Sequence, residues 1–169
     1  MKPELLFLKY AFPCSMVLLQ RGELSQELFD ELEHAVVQNK RVKREVLEKI
    51  YFRAITRMKA LARELHTDYF SETCIRHYFR IRHNELLDGM FTNLGDKGID
   101  IDKNAPPALK NLCKVFKSKI IKKTDDYYIV EYFDNDLRKT RPALRSLVPN
   151  ANVGDEVMIH YGYAVEKVD

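Results

Sequence analysis

Residues 146–169 read SLVPNANVGDEVMIHYGYAVEKVD. Pro149 and the cluster Asn150 to Gly154 are turn formers. Glu156 to His160 is a short apolar run between turn signals, Gly162 marks a corner, and a second strand follows it. A single imidazole, His160, sits inside this otherwise apolar run. In a small β unit such a residue is either hydrogen-bonded packing or a ligand. Which of the two holds decides whether the chain handles a metal or acts only as a binding module.

Upstream of this stretch the β pattern continues. Cys113 reads as a small apolar residue opening the first strand, residues 115–121 as that strand and 127–133 as the next. Thr124, Asp125 and Asp126 form the turn between them, and Asp134, Asn135 and Asp136 form another. Pro142 and Pro149 restrict strand pairing nearby. Short strands this closely spaced predict a small barrel of the OB or SH3 type.

The first half has a helical period. Pro3 suits an early helical position, Pro13 breaks or kinks the first apolar segment, and Gly22 offers a C-cap. Ser25 can cap a second helix carrying Leu28, Phe29, Leu32 and Val36. A third helix runs through Val46, Leu47, Ile50, Tyr51, Ala54, Ile55, Met58, Leu61, Ala62 and Leu65, one apolar stripe at three- and four-residue steps. Ser71 can cap a fourth with Ile75, Tyr78, Phe79 and Leu86. Gly, Asn and Pro then concentrate over residues 89–111. The expected fold class is therefore α+β with segregated parts: a helical bundle over residues 1–88, a linker over 89–111 and a small β-barrel over 112–169.

Composition bounds the function classes. A chain of 169 residues, 46% apolar and with 9 Tyr and 9 Phe, can build a real core. A net charge of +3, from 28 basic and 25 acidic residues, is too mild to argue for nucleic acid by itself. Cys14, Cys74 and Cys113 are distant and odd in number, which fits a reducing, cytoplasmic setting better than a disulfide framework. The apolar N-terminal run is broken by Glu4, Lys9 and Pro13, so neither a signal peptide nor a membrane-spanning helix is expected, and no membrane partner. Phosphate loops, nucleophile elbows and metalloprotease helices are absent, and no acidic pair stands out as acid and base; the chain does not read as an enzyme.

The closing residues carry a resemblance. Val153-Gly154-Asp155 before a strand, then Ile159-His160-Tyr161-Gly162-Tyr163-Ala164, then Glu166-Lys167-Val168-Asp169, match in order and spacing the HypC/HupF family of NiFe-hydrogenase assembly chaperones. The match begins at Leu147-Val148-Pro149 and extends more loosely back to Leu112. The resemblance implies a small, non-enzymatic β-barrel with no resident cofactor. Iron would be carried transiently, and the partners would be a HypD-like protein and a hydrogenase large subunit. It places Cys113 at the family's essential cysteine and His160 at its functional histidine. Here Cys113 is internal, and Lys114-Val115-Phe116-Lys117-Ser118 stands where the family has a run with Gly, Pro and Gly.

Other clusters bear on function. Cys74 and His77 share a face of the fourth helix, His83 falls near that face nine residues on, and Cys14 lies elsewhere. They read as a packed cysteine with surface histidines unless further ligands join them. Arg76 and Arg80, with Arg82 and neighbouring aromatics, could meet a partner, as could Lys114 and Lys117 on the barrel. Lys114, Lys117, Lys119, Lys122 and Lys123 beside Tyr127, Tyr128, Tyr132 and Phe133 also resemble an OB-type nucleic-acid face. Alternating lysines on an edge strand, which block edge-to-edge association, account for the same pattern.

Overall fold

A computed structural model describes residues 1–89 and 106–168. The chain is α+β and divides into two units, 1–114 and 115–169. Of the expected linker, residues 90–105 lie outside the described residues, and its end is helical.

The helical unit is built around its first helix, α1 (Pro3–Ala11), in which every residue from Leu6 to Ala11 is buried. The apolar N-terminal run is thus core. Pro13 ends α1: a 3₁₀ turn over Phe12–Cys14 redirects the chain into α2 (Ser15–Gln20). Gly22, at φ +70°, closes α2, with the Glu23 amide donating to the Leu18 carbonyl. The Ser25 hydroxyl accepts from the Leu28 amide at the start of α3 (Gln26–Val37), and Ser71 does the same for Cys74 at α6 (Glu72–His77). Both expected caps are present.

Two expected helices are interrupted. The third divides into α4 (Arg44–Ile50) and α5 (Phe52–Glu64), because Tyr51 leaves the helical region at φ −104°, ψ 35°. The buried Tyr51 hydroxyl hydrogen-bonds Ser15 Oγ at 2.6 Å, and this long-range bond anchors the residue at the break. The fourth divides into α6, a π turn over Tyr78–Arg82, and α7 (His83–Leu87). A π turn takes an extra residue, so it shifts the helical phase. The expected common face of Cys74 and His83 is therefore not that of one continuous α-helix.

The core of this unit is aromatic. Phe7 is fully buried, with ring centroids 5.6 Å from Tyr51, 5.3 Å from Phe70 and 5.8 Å from Phe79. Glu4, buried on the same helix, meets Arg41 and Arg44 at 3.6 and 3.4 Å. Burial pushes its carboxyl upward, but its backbone hydrogen bond and the two arginines outweigh that and hold it below the usual range. A last helix, α8 (Pro107–Cys113), completes the unit.

The second unit is a five-stranded sheet: β1 (Val115–Lys123), β2 (Tyr127–Asp134), β3 (Leu137–Leu144), β4 (Glu156–His160) and β5 (Tyr163–Val168). The pairings are β1 with β2, β2 with β3, β3 with β5, β5 with β4 and β4 with β1, so each strand has two neighbours. All are antiparallel except β3 with β5, which meet at Leu144 and Tyr163. Ile120, Tyr128, Val130, Ala143, Ala151, Val157, Ile159 and Ala164 form its apolar core.

β3 was not expected, since Pro142 falls inside it. Pro142 pairs with Ile129 of β2. The Leu144 amide points the other way, donating to the Gly162 carbonyl at 2.7 Å. Amides two residues apart in a strand face the same side. Proline's missing N–H therefore lies on the edge away from β2, where β5 pairs only at Leu144, and it costs no ladder bond. β1 is likewise not the edge strand that the alternating lysines imply: it pairs with both β2 and β4.

Candidate functional site

His160 closes β4, paired with Val115 of β1 and Tyr163 of β5, and is fully buried. Its neighbour Ile159 belongs to the apolar core of the sheet and His160 does not, as strand alternation requires. The corner after it turns on Tyr161, which takes the left-handed conformation at φ 54°; Gly162 does not. A tyrosine there is uncommon and carries backbone strain. The Gly162 carbonyl at this corner accepts from the Leu144 amide, which ties the corner to β3.

The loop before β4 is equally fixed. Gly154, at φ +95°, donates its amide to the Ile120 carbonyl, and the Ile120 amide donates to the Asp155 carbonyl. The Asp155 carboxylate accepts from the Asn152 amide and from Lys167 at 2.7 Å. The Lys167 hydrogen bond, more than any other influence, keeps that carboxyl below its ordinary range. Val153-Gly154-Asp155 is thus a hydrogen-bonded turn joined to both β1 and β5.

Cys113 does not open a strand. It is the last residue of α8, buried, and part of the helical unit; the first strand begins at Val115. Lys114 Nζ lies 2.6 Å from the Asp88 carboxylate. Arg76 pairs with Glu72 one helical turn away at 2.6 Å, and Arg80 Nε donates to the Tyr10 hydroxyl at 2.9 Å. Lys117 meets Glu156 across strands at 2.6 Å. All four basic residues expected at a partner surface hold contacts within their own unit. Lys117, with a side chain 55% exposed, is the most open of them. Of the other lysines of the sheet, Lys123 donates to the Ala151 carbonyl and to Asn152 Oδ1. Tyr128 and Tyr132 turn inward, whereas Tyr127 and Phe133 are exposed.

The thiols differ in environment, and none is in a disulfide. Cys74 is fully buried, its Sγ donating to the Met58 carbonyl at 3.6 Å. Burial, helped by the charge of Asp68, pushes this thiol up to about 11. Neither Cys74 nor His77 joins any group of three ligand atoms within reach of one ion among the described residues. Cys14, by contrast, is half-buried and lines a cavity of about 140 Å³ in the helical unit, as do His83 and Cys113. Its Sγ and a His83 ring nitrogen lie within 4.8 Å of each other. Alkylation of the native chain near neutral pH is expected to label Cys14 well before Cys74, with the difference abolished in denaturant. Peptide mass spectrometry over a time course reads this; equal native rates would contradict the assigned burial.

Among the described residues no helix is long and apolar enough to cross a membrane. No family model, no curated protein and no solved structure matches the chain.

Proposed function

We propose that the chain is a non-enzymatic, HypC-like accessory protein of metal-centre assembly, working in a reducing, cytoplasmic setting. In this reading the second unit is a closed barrel of the OB or SH3 type, the cargo is iron, and Cys113 and His160 are the residues that the family resemblance nominates as donors. One observation carries it. Of the residues that resemble the family, 147–168 occupy the hydrogen-bonded turn, β4, the strained Tyr161 corner and β5, with the one imidazole of that stretch at the end of β4. A resemblance that coincides with a continuous structural segment is stronger support than one scattered over unrelated loops. The partners follow the same resemblance: a HypD-like protein and a hydrogenase large subunit.

Anaerobic iron(II) titration of the whole chain tests the cargo reading. Wild type is expected to bind, and Cys113→Ala and His160→Ala each to bind at least about tenfold more weakly, as loss of a direct ligand should exceed the 10–100-fold effects of outer-shell partners. Equal binding by all three, or none by wild type, would sink the metal role.

A scaffold that kept the barrel without metal chemistry is the second reading. It is favoured by the segment after Cys113, where Lys114 is engaged with Asp88 and no Gly-Pro-Gly loop frames the thiol. Co-purification with a HypD-like protein that survives both alanine substitutions, alongside absent iron binding, would select it.

A further inference from the structure

Two local irregularities of the helical unit deliver metal-ligating side chains to the same cavity. The 3₁₀ turn at Pro13 ends on Cys14, and the π turn ends just before His83. π turns recur at functional sites because the widened turn re-aims side chains. The His83 ring is held by edge contacts with Tyr78, centroids 6.2 Å apart, and by Phe79 at 6.0 Å. We propose that this cavity binds a soft monovalent metal ion, of the copper(I) class, between the Cys14 thiolate and the His83 imidazole.

Distance, donor type and charge converge on that class. A thiolate and an imidazole opposed on one ion are about 4.3 Å apart, the sum of typical metal–sulfur and metal–nitrogen bonds. The two atoms are already within 4.8 Å, so about half an ångström of side-chain closure is the most required. Thiolate selects soft ions, and imidazole accepts copper. The residues lining the cavity include no carboxylate or carboxamide, the usual side-chain ligands of calcium and magnesium, which disfavours those ions. A thiolate neutralises a monovalent ion completely. A divalent ion would leave net positive charge in an apolar cavity that Arg21, Arg53 and Arg57 also line. The ligands assigned to copper(I), Cys14 and His83, are not the residues on which the iron reading rests.

Anaerobic titration of the whole chain with copper(I), in competition with a chromophoric copper(I) chelator, tests it. Wild type and Cys74→Ala, which alters a thiol outside the cavity lining, are expected to withdraw one equivalent from the chelator. Cys14→Ser and His83→Gln should each lose at least about tenfold in affinity. Because either variant could fail to fold, wild type is also alkylated with and without copper(I): the metal should protect Cys14 and leave the labelling of Cys74 unchanged. Unprotected Cys14, affinities unaffected in both ligand variants, or saturable binding of zinc(II) with none of copper(I) would each overturn the assignment.

Discussion

Phe7→Ala is expected to remove a large share of the stability of the helical unit, a loss of about 3–5 kcal/mol. The side chain has no exposed surface, and three rings, those of Tyr51, Phe70 and Phe79, pack against it. Each aromatic pair contributes roughly 0.5–1.5 kcal/mol beyond burial alone, though not additively. Those partners come from the α4–α5 break, the turn before α6 and the π turn, so one truncation loosens these three segments at once. A domain's total stability is only about 5–15 kcal/mol. Urea unfolding followed by far-ultraviolet circular dichroism reads the change. Phe52→Ala is the matched control: its ring is 51% exposed, and the cost should stay within about 1 kcal/mol. Similar midpoints for the two variants would mean that Phe7 is not the hub of this core.

What the sequence disclosed about this unit was local chemistry. The Ser25 and Ser71 caps, the Pro13 break and the Gly22 stop each depend on a few adjacent residues, and each is found where it was expected. The break at Tyr51 was hidden because the apolar period runs through it undisturbed: Leu47, Tyr51, Ile55 and Met58 are all buried. What marks the residue is a bond to Ser15, thirty-six positions away, and periodicity carries no trace of it. The π turn was hidden for a related reason, since one extra residue in a turn leaves no compositional mark. α8 has a local signal of its own: Pro106 and Pro107 ahead of a run of helix formers is a helix start as much as a linker.

The candidate sites divide along the same line. His160 was visible as the imidazole ending the apolar run Val157 to Ile159, and the corner beside it was visible too, although the strained residue is Tyr161 rather than Gly162. Cys14 and His83 are sixty-nine positions apart and meet only because a proline turn and a π turn face one cavity. No spacing rule could pair them. The lysines of β1 misled for a topological reason: alternation looks alike on an edge strand and on a strand with two neighbours, and only the pairing with β4 separates the cases.

Tyr128 is the corresponding keystone of the sheet, and two substitutions there should separate its ring from its hydroxyl. The ring is fully buried in the apolar core, and the hydroxyl reaches the Val148 and Ala151 carbonyls at 2.7 and 3.2 Å. Burial raises the phenol above its ordinary range, so it stays protonated and able to donate. Tyr128→Ala should cost about 3–5 kcal/mol through the cavity it leaves. Tyr128→Phe keeps the packing and should cost only about 1–2 kcal/mol: the Val148 carbonyl loses its phenol donor, while the Ala151 carbonyl keeps Lys123. Those carbonyls lie in the loop before β4, which Arg145 also ties to the Thr124 and Pro149 carbonyls. Hydrogen exchange should therefore find the loop of Tyr128→Phe opening more readily while β1 and β2 keep their protection. The loop leads directly into the strand that carries His160. If the HypC-like reading holds, Tyr128→Phe should weaken iron binding beyond its small effect on global stability. Undisturbed loop exchange in Tyr128→Phe would show instead that the loop is held by Arg145 and Lys123 without the phenol.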